Sequence, residues 1–275
     1  MNPRERLEAY GLHPKQALGQ NFMHDQNAIE KIVASAHLAH DETALEIGPG
    51  TGELTAALAR VARRVVAVEA DERLIPLLEE RFAQAYNVYF VFEDILKTRP
   101  ETLVGTEPYV VVANVPYYIT SAILRHLYET PTRPRRAVLT MQLEVAQRTV
   151  ARPGDLSLLG VSVQYYGKPT LVGKLNRGVF WPRPDVDSAI LRIDTHPAPI
   201  VDVPSDEAFF RVVRAGFSQK RKQVKNALAS GLAIPQAEVD ATLHEVGIDP
   251  QRRAETLTLE EWAALARLVD ERFPV

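Results

Sequence analysis

The run Glu46-Ile-Gly48-Pro-Gly50-Thr-Gly52 places three glycines at alternate positions behind a carboxylate. Glycine lets a backbone approach a ligand closely and adopt turn dihedrals that a Cβ forbids. Glu69 follows Gly48 by 21 residues, at the end of the next apolar run. A carboxylate there accepts from both hydroxyls of a ribose. The spacing is not the dinucleotide G-x-G-x-x-G, and Glu46 is a poor neighbour for a pyrophosphate at a helix start. It suits a ligand that carries ammonium and sulfonium charge. Asp94 has two readings that stay open: an acceptor for the exocyclic amine of an adenine, or a helix N-cap. Asn114-Val115-Pro116-Tyr117 offers an amide oxygen and the Pro116 carbonyl as two acceptors for the hydrogens of an exocyclic amine. Such a nitrogen is a poor nucleophile while its lone pair is delocalised into the ring. Two acceptors favour a pyramidal nitrogen, and Tyr117 can stack on the base, as enzymes acting on extruded bases require. No strong general base is needed and none is evident.

These residues need a scaffold that brings strand ends together. From residue 43 short β-branched runs alternate with helical periodicity, the signature of an α/β fold with a mostly parallel sheet. Strands are expected at 43–48, 65–69, 87–94, 109–114 and 136–142. Later strands, with antiparallel pairing, are expected at 159–166, near 171–179 and at 188–193. Helices are expected to about Arg60, from Glu72 to Phe82, and near 120–129 and 143–151. THPAPIVDVP (195–204) has no period and reads as a linker. Beyond it the sequence predicts amphipathic helices at about 206–216, 221–230, 235–246 and 258–271. The domains expected are an N-terminal arm (1–40, helical from about Gln26 to His37), a ligand-binding α/β domain (41–198) and a helical C-terminal domain (199–275).

The chain has 275 residues and no Cys, which excludes a disulfide framework, a thiolate nucleophile and Cys-based metal sites. The seven His are scattered, so no metal is expected. No apolar run approaches 18 residues, and the opening MNPRERLEAYGLHPKQ lacks the apolar core of a signal peptide. A cytoplasmic protein with no membrane contact is the expectation. Net charge is −3, unevenly distributed: residues 41–107 carry −6, residues 108–226 carry +8 and residues 227–275 carry −5. Arg211 to Lys225 holds six basic residues and no acid, and Lys220, Arg221, Lys222 and Lys225 fall where a helix is expected to start. Such residues suit phosphates rather than bases; the plain alternative is a solvated helix face.

The E-x-G-x-G-x-G pattern resembles motif I of the S-adenosylmethionine-dependent methyltransferases, a Rossmann-like class. Further matches are Gly19-Gln20-Asn21-Phe22-Met23, the NVPY run, MQLEVAQR (141–148), Phe180-Trp181-Pro182-Arg183-Pro184-Asp185-Val186-Asp187-Ser188 and Phe217-Ser218-Gln219-Lys220-Arg221-Lys222. Together they resemble the rRNA adenine N6,N6-dimethyltransferase family over about residues 10–270. The resemblance implies that Asn21, Met23, Glu46, Gly48, Gly50, Gly52, Glu69, Asp94 and Asn114 bind S-adenosylmethionine, without a metal. It implies that Asn114 and Pro116 face the target amine and that Tyr117 and Phe180 sandwich the flipped adenine. The implied reaction is dimethylation of two adjacent adenosines near the 3′ end of 16S rRNA, on an immature small ribosomal subunit, by a monomer. Met23 stands where Leu is usual in the family, and the loop after Arg148 is shorter than usual. Two other readings remain: a large-subunit rRNA adenine methyltransferase of the macrolide-resistance type, and a non-catalytic assembly factor on the same fold.

Overall fold

The structure is a computed structural model that describes residues 2–198 and 200–274. The chain divides into two units, Met1–Ala146 with Lys168–Thr195, and Gln147–Gly167 with His196–Val275. The first opens on an arm holding α1 (Pro3–Ala9), β1 (Phe22–Met23) and α2 (Gln26–Ala36). Helix α1 was not anticipated, although its signals are in the sequence. Asn2 and Glu5 form a reciprocal capping box and Pro3 opens the helix. Asp25 caps α2 by accepting from the Ala28 N–H at 2.8 Å.

The α/β alternation then runs β2 (Thr43–Ile47), α3 (Glu53–Leu58), β3 (Arg64–Glu69), α4 (Ile75–Arg81) and β4 (Val88–Phe92). It continues through α5 (Pro100–Val104), β5 (Tyr109–Asn114), α6 (Thr120–Tyr128), β6 (Arg136–Gln142) and α7 (Leu143–Thr149). After α8 (Leu158–Tyr166) come β7 (Gly167–Leu175), β8 (Phe180–Trp181) and β9 (Ser188–Thr195). Seven strands make one sheet in the order β4-β3-β2-β5-β6-β9-β7. Strands β2 to β6 pair in parallel, and β9 runs antiparallel to β6 with Arg136 opposite Asp194 and Gln142 opposite Ser188. Val110, Val112 and Val138 from the sheet meet Ile29, Ile32, Leu54 and Leu58 from α2 and α3 in one buried core. The all-apolar reading of β5, YVVVAN, follows from burial on both faces of a parallel sheet. A separate two-stranded ribbon joins the arm to β8, with Phe22 opposite Trp181 and Met23 opposite Phe180.

The expected strand at 159–166 is instead the helix α8. A continuous apolar run does not distinguish a buried strand from a buried helix by period. The Ser157 side chain decides it by accepting from the Gly160 N–H at 3.1 Å, an N-cap. In the second unit, Tyr165 of this helix stacks on Phe209 with centroids 4.5 Å apart and donates to Asp206 at 2.6 Å. That unit also holds α9 (Asp206–Phe217), α10 (Val224–Leu232), α11 (Gln236–Glu245) and α12 (Leu259–Arg272). The helix expected from about 221 begins at Val224. Lys220, Arg221 and Lys222 are therefore not on a helix start but in the turn between α9 and α10, where the Lys222 N–H donates to the Gln219 carbonyl. Lys225 lies in the first turn of α10. No helix among the described residues is long and apolar enough to cross a membrane.

Candidate active site

Strands β3 and β5 lie on opposite sides of β2, so the connections after β2 and β5 diverge and leave a crevice at the carboxyl edge of the sheet. A cavity open to solvent occupies that position in the first unit. It is lined by the glycine loop, the ends of β3, β4 and β5, the arm residues 18–23 and Phe180. Of the residues singled out in the sequence, Asn21, Met23, Gly48, Gly50, Glu69, Asp94, Asn114, Pro116, Tyr117 and Phe180 line it together. Glu46 and Gly52 do not, and Lys220, Arg221, Lys222 and Lys225 belong to the second unit.

Each loop glycine has its own steric reason. Gly48 is in the left-handed region at φ +73°, and a Cβ there would meet only the Asn114 carbonyl oxygen, at 3.9 Å. A side chain at 48 would thus project into free space of the cavity. Gly50, at φ +58°, would put a Cβ 2.9 Å from the Phe22 ring, so the arm packs directly on the loop. At Gly52 the obstacle is Phe82, which makes that glycine a packing residue behind the site.

Glu69 is buried and both its oxygens are fixed by backbone. Oε2 accepts from the Gly50 N–H at 3.1 Å and Oε1 from the Asp71 N–H at 2.9 Å. Burial raises its pKa, and those two N–H groups oppose the rise. An ionised carboxylate has about four acceptor positions, so two remain for hydroxyl groups of a ligand. Asp71 locks the arm in place. Its carboxylate accepts from Gln20 at 2.8 Å and from Arg73 at 2.9 and 2.7 Å. Burial alone would raise the Asp71 pKa, but Arg73, Gln20 and Lys15 overcome it and hold the group at about 2.

Glu46 sits behind the loop, wholly buried, and neither of its oxygens has a hydrogen-bond partner among the described residues. Burial pushes it up to about 8, with the charges of Glu69 and Glu53 adding to the rise. The Thr55 hydroxyl and the Arg81 charge favour the ionised form but do not overcome burial, and the Thr55 hydroxyl itself lacks a hydrogen-bond partner among the described residues. Asp94 combines both of its readings. Its Oδ1 caps a single turn by accepting from the Leu96 N–H at 3.0 Å, and the residue lines the cavity.

At the other end, the amide of Asn114 is oriented by its neighbours. Its Nδ2 donates to the Asn21 carbonyl at 2.9 Å, and its Oδ1 accepts from the Thr140 hydroxyl. A backbone carbonyl only accepts, so the NH₂ must face the arm and the oxygen must face the other way. The Thr140 hydroxyl uses one lone pair of Oδ1 and leaves the second available. The Pro116 carbonyl is less free than its sequence suggests. It accepts from the Ile119 N–H and the Thr120 hydroxyl, both at 3.3 Å, and a substrate amine would have to displace one of these long contacts. Tyr117 is half-buried and its hydroxyl lies 2.5 Å from Ser188 Oγ, which ties NVPY to the end of the F-W-P-R-P-D-V-D-S run. Phe180 is buried beside Met23 in the arm ribbon. Gln20, Asp71, Thr140 and Ser188 were not singled out from sequence. Asp71, Thr140 and Ser188 each hold a residue that was, Gln20 holds Asp71, and only Gln20 and Ser188 lay inside a quoted motif.

The donor set fits an uncharged nucleoside joined to a cationic tail. It offers a fixed carboxylate with two spare acceptor positions, a further carboxylate at Asp94 and a glycine cradle with no phosphate-binding Lys or Arg. The described residues contain no cluster of side chains able to hold a metal ion. The family model for ribosomal RNA adenine dimethylase matches residues 11–271. A ribosomal RNA small subunit methyltransferase A from Dehalococcoides mccartyi (strain CBDB1) is 45% identical over 95% of this chain and 90% of its own length. One from Geobacillus sp. (strain WCH70) is 43% identical over 96% of this chain and 94% of its own. Among solved structures, the 23S rRNA methyltransferase ErmE is 32% identical with a TM-score of 0.70, covering 91% of this chain and all of that one. A dimethyladenosine transferase from Plasmodium falciparum shares the fold at a TM-score of 0.77 and 24% identity, over 91% of this chain and 98% of its own. The chain belongs to the ribosomal RNA adenine dimethylase family and is an S-adenosylmethionine-dependent methyltransferase on a Rossmann-like sheet.

Proposed function

We propose that the protein dimethylates the N6 atoms of two adjacent adenosines near the 3′ end of 16S rRNA, on the immature small subunit. The observation that carries this reading is the oriented amide of Asn114 at the crevice of the sheet, with one acceptor position open, beside Tyr117 and Phe180. The names of the curated relatives favour the small subunit. In this reading Glu69 accepts from the ribose hydroxyls of the donor and Asp94 from its adenine amine. Asn21 and Met23 close over it from the arm, Gly48 leaves it room, and Gly50 lets Phe22 of the arm pack on the loop beside it. Glu46, set behind the loop with its proton held by burial, supports the loop from behind and makes no contact with the donor.

S-adenosylmethionine, when bound, supplies an electrophilic methyl group on a sulfonium sulfur. The residues of the chain supply position and hydrogen bonding. Tyr117 and Phe180 hold the target adenine between them, with the Ser188 contact keeping the Tyr117 ring from turning. Asn114 Oδ1 accepts one N6 hydrogen and, while the amine still carries two, the Pro116 carbonyl accepts the other, which draws the nitrogen lone pair out of conjugation; the proton that each transfer displaces from nitrogen passes to solvent. Holding nucleophile and methyl in line contributes up to roughly 7–11 kcal/mol. Lys220, Arg221, Lys222 and Lys225 are free of ion pairs among the described residues, and the three in the turn are exposed. They meet RNA phosphates, so chemistry belongs to the first unit and docking to the second. The enzyme acts in the cytoplasm as a monomer. Labelled donor, offered with unmethylated small subunits and separately with large subunits, tests the assignment. Transfer to the small subunit is expected. Transfer confined to the large subunit would establish the macrolide-resistance type instead, and transfer to neither would favour an assembly factor.

A further inference from the structure

Four aromatic side chains line the cavity, and one behaves differently from the rest. Phe22 and Phe180 are buried and Tyr117 is half-buried, but Tyr118 is 65% exposed. The consecutive tyrosines sit in one tight turn, Tyr117–Ile119, and differ in their anchoring. Tyr117 is tied through its hydroxyl to Ser188. No hydrogen bond holds Tyr118 among the described residues. Its ring is seated instead on backbone. A Cβ at Gly19 would come within 3.3 Å of Tyr118 Cε1 and 3.4 Å of Cδ1, and within 3.3 Å of Pro116 Cβ. Gly19 is in the left-handed region at φ +58°. The missing side chain there lets the Tyr118 ring lie against the arm on one side while the rest of it faces solvent.

We propose that Tyr118 is a stacking platform for the nucleobase next to the target adenosine in the RNA strand. The proposal rests on the reading that adjacent adenosines of rRNA are the substrate. When one adenine is extruded into the cavity, its neighbour is one backbone unit away and has lost a stacking partner on that side. An exposed ring at the cavity rim, with one edge lying against Gly19, offers it a replacement. Stacking on an aromatic ring is tolerant of base identity. The same platform therefore serves whichever of two adjacent adenosines waits outside while the other reacts. Tyr118 is in this account a residue for substrate position, and not one that touches the reacting nitrogen.

The test compares wild type, Tyr118→Leu and Tyr118→Phe in methyl transfer to unmethylated small subunits, with donor affinity measured by calorimetry on the same preparations. Leu keeps an apolar contact with Gly19 but has no π-face. KM for the particle should rise about 30-fold in Tyr118→Leu, the middle of the range for loss of one base–aromatic stack. Tyr118→Phe should restore it, and donor affinity should stay within about 2-fold throughout. The ratio of methylation at the two adenosines should also shift in Tyr118→Leu, which a purely structural role would not cause. An unchanged KM and ratio in Tyr118→Leu would overturn the proposal. So would a fall in donor affinity that accounts for the lost activity, because the ring would then act by seating the arm. Failure of the wild type to methylate any rRNA would overturn the underlying reading, a result distinct from either.

Discussion

The cavity of the first unit and the basic turn of the second are built in opposite ways, and under the proposed function they meet an RNA substrate differently. In the cavity, polar groups are committed before any ligand arrives. Glu69 holds two backbone N–H groups, Asn114 is set by Asn21 and Thr140, and Tyr117 is tied to Ser188. In the turn, Lys220, Arg221 and Lys222 are exposed side chains with no ion-pair partner among the described residues. A site whose groups are fixed by several partners loses much when one is removed. A loose cationic surface loses little per residue, and that little depends on salt. The difference orders the expected effects of substitution.

The largest belongs to Asn114. Asn114→Ala removes the oriented acceptor and should lower turnover by at least about 100-fold, the scale of a hydrogen bond made in a transition state. Binding to immature small subunits should be largely kept. Near-normal turnover at saturating donor would break the two-acceptor account. Next comes Glu69→Ala. Loss of hydrogen bonds to a charged acceptor costs roughly 1.5–3 kcal/mol each, so donor affinity by calorimetry should fall at least about 10-fold. Unchanged affinity with an intact fold would remove Glu69 from the site.

A third effect is one of stability and its sign is fixed by Glu46. Burial holds this carboxyl up at about 8 in the folded protein against an ordinary 4.5. The folded state therefore keeps a proton that the unfolded chain has released. The stability tied to that proton is complete below pH 4.5 and is lost as pH rises to about 8. Urea midpoints of the ligand-free protein should fall over that window for this reason, and Glu46→Gln should flatten the fall. Identical pH profiles for the two proteins would show that Glu46 is ionised in the fold. The smallest effect is expected in the basic turn. Arg221→Ala with Lys222→Ala should weaken particle binding modestly and flatten the log–log salt dependence by about one to two units, each phosphate contact contributing roughly 0.7–0.9. Donor affinity should not change. A slope equal to that of wild type would mark the turn as a solvated surface and move the RNA footprint to other basic residues.

The same contrast explains what was legible in the sequence. The glycine loop, Glu69, Asp94 and NVPY could be read because each terminates a strand with a clear apolar pattern, and parallel strands bring such ends together. The length of β5 followed from those patterns as well, and so did antiparallel pairing among the late strands, but not the partner, β6, that β9 takes. The helix α8 did not, because LGVSVQYY is apolar throughout and its period carries no information; the N-cap at Ser157 was the signal available. The start of α10 was placed too early because Lys and Arg suit a helix as readily as a turn. The partners that fix the site were hidden for a different reason. Thr140 reaches Asn114 across neighbouring strands, and Asp71 meets Gln20 from 51 residues away. Local sequence carries no trace of such pairings. The placement of Glu46 behind the loop, outside the cavity lining, was equally invisible, since a strand pattern gives the face of a residue but not its depth.

The measurement that bears most directly on the central claim is the identity and position of the modified nucleoside. Unmethylated small subunits are incubated with the protein and S-adenosylmethionine, the rRNA is digested and analysed by mass spectrometry, and the sites are mapped by primer extension. The account predicts N6,N6-dimethyladenosine at two adjacent positions near the 3′ end of the small-subunit rRNA, and none when Asn114→Ala replaces the wild type. Modification at another base, on another atom, or undiminished in the variant would contradict it.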